Sequence, residues 1–287
     1  MKRISYFLFL LSFISCNRFS NEDKNKDQET RIVSVSKQYN EIIFALEAEK
    51  NIVAVDVSST FPAALKKLPT VGYHRALSSE AILANKPTLI LEDNNIGPDH
   101  VVNQLKKLKI PMKRFGEYSN SIAGADSLIK EMGNYFHKEK EAKILCENLA
   151  KDMKTALDLG KKYSTKPKVL VIHYGQASNV YLVMTSSSVG GKMIEWAGGE
   201  LAIKDKKGMK HLSPELVASA DPDVILLTDF GYDKLGGDFS KISELPGVAT
   251  TKAFKNKKIF RIEEHDLVYL GPRTGKNVQL IQNLIHK

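Results

Sequence analysis

Cysteine is nearly missing from this 287-residue chain, with Cys16 and Cys146 its only two. That excludes a disulfide-stapled scaffold and a cysteine-rich metal centre. The seven histidines are scattered, with no His-rich loop, so the converging ligands that direct capture of Zn²⁺ or Mn²⁺ would need have no counterpart in the sequence. Catalytic signatures are lacking too. There is no Gly-x-Ser-x-Gly elbow, no His-Glu-x-x-His, no P-loop and no Gly-x-Gly-x-x-Gly after a strand, so the common hydrolase, zincin and nucleotide sites are not represented. The one long apolar stretch at the N-terminus, Tyr6 to Ile14, is too short for a comfortable membrane span.

What remains is ordinary globular composition, 43% hydrophobic and 26% charged, at a length suited to two modest domains. Lys2 and Arg3, the apolar run after them and Ser15-Cys16 read as a secretory signal over residues 1–16. A small residue followed by cysteine at this point resembles a bacterial lipoprotein cleavage site, which implies lipidation of Cys16; an ordinary cleaved signal with an incidental cysteine is the alternative. Residues 17–30 are rich in Asn, Asp, Glu and Lys, cannot bury enough surface to order themselves, and read as a tether.

The folded part is expected to begin at residue 31. Arg31 to Val35, a helical face from Glu41 to Leu46, and Asn51 to Asp56 give the β-α-β alternation of a parallel sheet. Thr88 to Leu91, a helix from Val101 and a strand at Ile110 to Met112 extend this first lobe over 31–120. From Ser121 to Lys161 apolar residues recur at helical spacing without a strand, which predicts a long helical connection over 121–165, bent near Gly133. A helix crossing between lobes resists wide hinge opening. A second lobe over 166–287 repeats the pattern, with strands at Lys168 to Ile172, Val224 to Leu227 and Lys258 to Ile262, and helices at Gly190 to Gly199 and Gly275 to His286. The expected fold class is α/β: two lobes, each with a mainly parallel sheet flanked by helices, joined by a long connecting helix.

One motif occurs twice. Leu77-Ser78-Ser79-Glu80, then Pro87 and Thr88 to Leu91, is echoed by Leu212-Ser213-Pro214-Glu215, then Pro222 and Asp223 to Leu226, the proline seven residues after the glutamate in both copies. Two similarly built lobes leave a cleft where small ligands usually sit. Just before the first copy, Val71-Gly72-Tyr73-His74-Arg75-Ala76 sets a tyrosine, a histidine and an arginine at the mouth of that cleft. If this loop is extended, Tyr73 and Arg75 share a face and His74 takes the other.

The Gly-Tyr-x-Arg-x-Leu-Ser segment at 72–78 and Gly-Pro-Arg-Thr at 271–274, with Arg31 to Ser34 and Leu245 to Val248, resemble those of substrate-binding lipoproteins of haem ABC importers. These form part of the helix-linked class that also binds cobalamin and ferric siderophores, and the similarity covers the whole mature chain. Ser36-Lys37-Gln38 and Met184-Thr185 depart from the family's glycine-bearing turns. The resemblance implies a Tyr73 phenolate on haem iron with Arg75 and Arg273 near the ligand, no catalytic cofactor, and delivery to a permease dimer with its ATPase. Cobalamin or a ferric siderophore is the alternative cargo. A tetrapyrrole-handling enzyme on the same fold is the rival of another class.

Residue chemistry bears on each assignment. A phenol with a pKa of about 10 needs an adjacent cation to serve as a phenolate ligand at neutral pH, which Fe(III) and a guanidinium both supply; a core tyrosine with a bonded hydroxyl is the other reading. Arg273 suits a propionate carboxylate or a salt bridge. His173, after the first strand of the second lobe, is either a packing residue or a second axial ligand. Lys37 and Tyr174 are further cleft candidates. Glu80 and Glu215 either complement helix dipoles or, as the resemblance implies, dock one on each half of the permease. The net charge of +9, or +7 without Lys2 and Arg3, is dispersed over the chain, and with export it points away from nucleic acid and toward anionic surfaces or haem carboxylates.

Overall fold

The computed structural model describes residues 29–287 apart from Ala177. The signal, Cys16 and nearly all of the tether lie outside the described residues. The first lobe contains β1 (Ile32–Ser34), α1 (Lys37–Ala45), β2 (Ile52–Val55), β3 (Gly72–Tyr73), β4 (Ala76–Leu77), α2 (Ser79–Ala84), β5 (Leu89–Leu91), α3 (Asp99–Lys107) and β6 (Met112–Lys113). Its sheet runs β2-β1-β5-β6, and every pairing is parallel. These short strands are apolar and largely buried, as expected when helices cover both faces of a parallel sheet.

Next come α4 (Ile122–Tyr135) and α5 (Glu139–Gly160). The connection is therefore two helices, not one helix bent at Gly133. The break falls at 136–138, where His137 takes a left-handed φ of 55°. Gly133 stays helical for a packing reason: a Cβ there would lie 2.4 Å from Cβ of Ala142, so glycine lets α4 and α5 approach closely.

The second lobe comprises β7 (Lys168–Gly175), β8 (Val180–Met184), α6 (Val189–Trp196), β9 (Glu200–Leu201), β10 (Met209–His211), α7 (Pro214–Ala220), β11 (Val224–Thr228), α8 (Asp229–Lys234), α9 (Phe239–Ser243), α10 (Lys252–Lys255), β12 (Ile259–Ile262), α11 (Glu264–Val268) and α12 (Thr274–Ile285). The sheet order is β10-β8-β7-β11-β12, with β9 beside the start of β7. The β7, β9, β11 and β12 pairings are parallel, whereas β8 and β10 form an antiparallel edge. One apolar core runs from Ile42 of α1 through Ile129 of α4 and Leu149 of α5 to Val171 of β7 and Ile281 of α12. The linker helices are thus packed into both lobes. A Cβ on Gly275 would come within 2.5 Å of the Asp152 and Met153 backbone, which brings α12 hard against α5.

Candidate functional site

In an open α/β sheet, ligands bind beyond the carboxyl ends of the strands. Here those ends lead to Lys37 after β1, Asp56 after β2, Asp93 after β5, His173 and Tyr174 in the last turns of β7, Asp229 after β11 and Glu264 after β12. Ser36 caps α1, accepting from Tyr39 N at 3.3 Å, and donates to Asp93 Oδ2 at 2.7 Å, which fixes the neighbouring Lys37 at the rim.

The loop carrying Tyr73 is a tight hairpin, not an extended segment: Tyr73 pairs with Ala76 and Gly72 with Leu77. Gly72 sits at φ +96°, and a Cβ there would be 2.8 Å from the Ala76 carbonyl oxygen, so glycine is required. His74 turns inward and is buried. Its Nδ1 lies 3.2 Å from Ser58 Oγ and 3.3 Å from Asp56 Oδ2. Burial pushes the Asp56 carboxyl up, but hydrogen bonds from His74, Ser58 and Ser59 outweigh it and hold the group below its ordinary range. With His74 as anchor, Tyr73 is half-buried and Arg75 exposed, its Nε donating to Asn95 Oδ1 at 2.9 Å. Burial raises the Tyr73 phenol, Glu264 adds to the rise, and Arg75 opposes it.

Facing the hairpin, Lys37 Nζ of the first lobe meets Glu264 Oε2 of the second at 2.7 Å, and both side chains are largely buried. The rings of Phe230 and Tyr269 flank the ammonium at 5.3 and 5.8 Å. His173 Nδ1 is 3.9 Å from Glu264 Oε1 and 3.5 Å from Thr228 Oγ1. Burial would raise Glu264, but Lys37 and His173 hold it below the usual carboxylate range. His173 is lowered, chiefly by burial. Tyr73, Lys37 and His173 thus share one electrostatic environment, with Arg75 acting on Tyr73 alone, and it is centred on a residue that composition and spacing do not single out, Glu264. Its place just past the end of β12 is the signal that could have found it.

The other candidates have different partners. Arg273 donates to Glu41 Oε1 at 3.1 Å and to Asp266 Oδ1 at 2.7 Å, with its guanidinium 3.6 Å from the Phe61 ring centroid. These are the contacts of a salt bridge; the remaining nitrogen, Nη1, meets only Asn277 Oδ1 at 3.5 Å. His265 also hydrogen-bonds Glu41. Tyr174 bonds Asn179 and Lys234 at the far end of β7, on the opposite strand face from His173. Glu80 and Glu215 occupy the first turns of α2 and α7, both exposed, behind Ser78 and Ser213 caps that accept at 3.1 and 3.2 Å. A cavity of about 200 Å³ beside Gln38, Asp93, Arg114 and Leu270 is smaller than ligand pockets usually are, ~300 Å³ and upward. Tyr73, Arg75 and His173 do not line it.

Residues 32–265 match the family described as periplasmic binding protein. The chain belongs to that family. Among curated members it is 27% identical over 273 residues to the high-affinity heme uptake system protein IsdE of Staphylococcus aureus (strain Newman), covering 92% of this chain and 91% of the relative. Among solved structures it resembles the periplasmic heme-binding protein RhuT of Roseiflexus sp. RS-1, with TM-score 0.81, 30% identity and coverage of 90% of this chain and 98% of that one. It also resembles the periplasmic heme-binding protein HutB of Vibrio cholerae, with TM-score 0.74, 32% identity and coverage of 91% and 100%. The Lys37–Glu264 pair joins the first lobe to the second, and the Tyr73 hairpin belongs to the first. Among the described residues no helix is long and apolar enough to cross a membrane.

Proposed function

We propose that this protein is an extracytoplasmic carrier that takes haem into the inter-lobe cleft and hands it to an ABC import permease with its ATPase. The observation that carries this reading is the tyrosine on a rigid hairpin: Tyr73 held half-buried by the buried His74 anchor, two residues from the exposed Arg75. Ferric haem supplies the Lewis acid that makes a phenolate ligand favourable. Arg75 and Lys37 supply positive charge for the phenolate and the propionates, each charge-assisted contact being worth roughly 1.5–3 kcal/mol. His173 is the second-lobe candidate for the opposite axial position. Tyr174 lines the rim beyond it, and Arg273 joins the two lobes through Glu41 and is a further candidate for a propionate. The named relatives are uptake and binding proteins, which favours a carrier that returns its cargo unchanged over an enzyme.

The domain boundaries given above, a lipid anchor at Cys16 and permease docking through Glu80 and Glu215 belong to the same proposal. Titration of the protein, purified without its signal, with hemin, cobalamin and ferric siderophores tests it. Saturable Soret binding confined to hemin supports the haem reading; saturable binding of only the others replaces the cargo. Conversion of the bound tetrapyrrole to a new species would support an enzyme instead.

A further inference from the structure

The Lys37–Glu264 pair joins a cation at the start of α1 to an anion at the start of α11, between the two lobes, with side chains 5% and 13% exposed. Apolar ring faces border the ammonium, so its charge is poorly screened and has a strong demand for an anionic partner. Glu264 meets that demand with Oε2, while Oε1 stands 3.9 Å from His173 Nδ1. The backbone N–H of Glu264 donates to Asp229 Oδ1 at 2.9 Å, so the start of α11 is itself pinned. Any exchange of partners at Glu264 therefore falls to its side chain.

A ligand carboxylate arriving at Lys37 meets this partner first. Two carboxylates cannot share one ammonium in so dry a place without mutual repulsion, so one must turn away. Resting on the haem reading above, we infer that Glu264 is an internal competitor for the cargo's carboxylate: the propionate takes Lys37 by displacing Glu264, whose side chain swings to His173, and Glu264 thereby sets both affinity and the preference for a free carboxylate. The pair then acts as a specificity element. A cargo that bears no carboxylate leaves Lys37 with Glu264 and gains nothing from the ammonium. A carboxylate-bearing cargo exchanges one buried ion pair for another and releases Glu264 toward an imidazole already beside it.

The test compares hemin with hemin dimethyl ester in Soret titrations of the wild type, Glu264→Gln and Lys37→Gln, each checked by thermal melting. Glu264→Gln keeps the shape and removes the competing charge. It is expected to bind hemin about fivefold to tenfold more tightly than the wild type, with a clearly smaller gain for the ester. Lys37→Gln is expected to lose most of the wild-type preference for hemin over the ester. Unchanged or weaker hemin binding by a folded Glu264→Gln overturns the inference, as does a gain of equal size for hemin and ester. Should Glu264→Gln fail to fold, the Lys37→Gln arm decides alone: full retention of the hemin preference overturns the inference. Absence of saturable hemin binding in the wild type would instead bring down the haem reading, and this inference with it, a result distinct from any of the patterns above.

Discussion

Arg273 of the second lobe donates from Nε to Glu41 Oε1 of the first at 3.1 Å, and the carboxylate receiving it is only 5% exposed. His265 shares the same carboxylate through Oε2. Removing Glu41 therefore strands the buried His265 and takes from the part-exposed Arg273 one of its two carboxylates, Asp266 remaining. Glu41→Ala should cost about 3–5 kcal/mol, as is usual when one member of a buried charge pair is deleted, read as a lowered urea midpoint with the slope unchanged. Burial pushes Glu41 up, but His265 and Arg273 outweigh it and hold the carboxyl below its ordinary 4.5. Its contribution is then complete above that value and lost as pH falls through the folded-state pKa, so Glu41→Gln should flatten the acid limb of the stability curve. A Glu41→Ala cost below 1 kcal/mol would show that water substitutes for the carboxylate.

The opposite sign applies to Asp229. Burial is the main reason its carboxyl is pushed up to about 6, and the neighbouring Glu263 and Glu264 add to it. A carboxyl whose folded pKa is raised contributes stability below its unfolded value, 3.8, and that contribution disappears as pH rises through about 6. Asp229→Asn keeps an oxygen for the Glu264 N–H. It should raise stability at pH 7 to 8 by on the order of 1–2 kcal/mol after allowance for solvent screening, with little change at pH 4. Equal effects at both pH values would mean that the charge on Asp229 is not what costs stability.

In the proposed site Tyr73 carries a proton that haem iron would have to displace. Burial and Glu264 both raise its phenol above 10.0, so at neutral pH the group is neutral until Fe(III) binds. Haem ligation through Tyr73 should release about one proton per haem in a weakly buffered titration, and affinity should increase with pH below the phenol pKa. Tyr73→Phe should abolish that release, lose the phenolate charge-transfer band and bind haem much more weakly. If Tyr73→Phe releases the same proton with the same spectrum, the ligand is another residue. His173→Ala is the companion variant, since loss of ligation there alone would move the iron to the second lobe.

How far these features were legible in the sequence depends on their range. The parallel strands β1, β2, β5 and β12 lie within the apolar runs that announce them, while β7 runs on past Ile172 to Gly175 and β11 past Leu227 to Thr228. β8 is a different case: Val180 to Met184 is apolar on both faces, a pattern that does not separate strand from helix. β10 and the β3–β4 hairpin are too short to show a period at all. Gly133 misleads because a helical glycine can mark a bend or a close contact, and only the position of Ala142 tells them apart. Tyr73, Arg75, Lys37 and His173 stand out by chemistry and by place relative to strand ends. Their partners do not: Glu264 is 227 residues from Lys37, and Glu41 is 232 from Arg273, separations at which a local pattern carries no information. The inward turn of His74 likewise depends on Asp56 and Ser58, two segments of loop away.

The repeated helix starts give the last prediction. Ser78 caps α2 and Ser213 caps α7, each placing a glutamate two residues later in the first turn, exposed, one on each lobe. Among the described residues neither carboxylate takes part in an ion pair of the fold. Interaction with the helix dipole accounts for either one alone. A matched pair across the pseudo-repeat also fits a two-fold permease that presents one basic patch to each lobe, and exposed rim charges govern encounter and orientation more than fold. The double variant Glu80→Lys with Glu215→Lys should therefore keep near-wild-type stability and haem affinity yet abolish haem-stimulated ATP hydrolysis by the reconstituted importer, each single change being intermediate. Full stimulation by the double variant would place docking on other residues, and loss of haem binding would place these glutamates in the cleft.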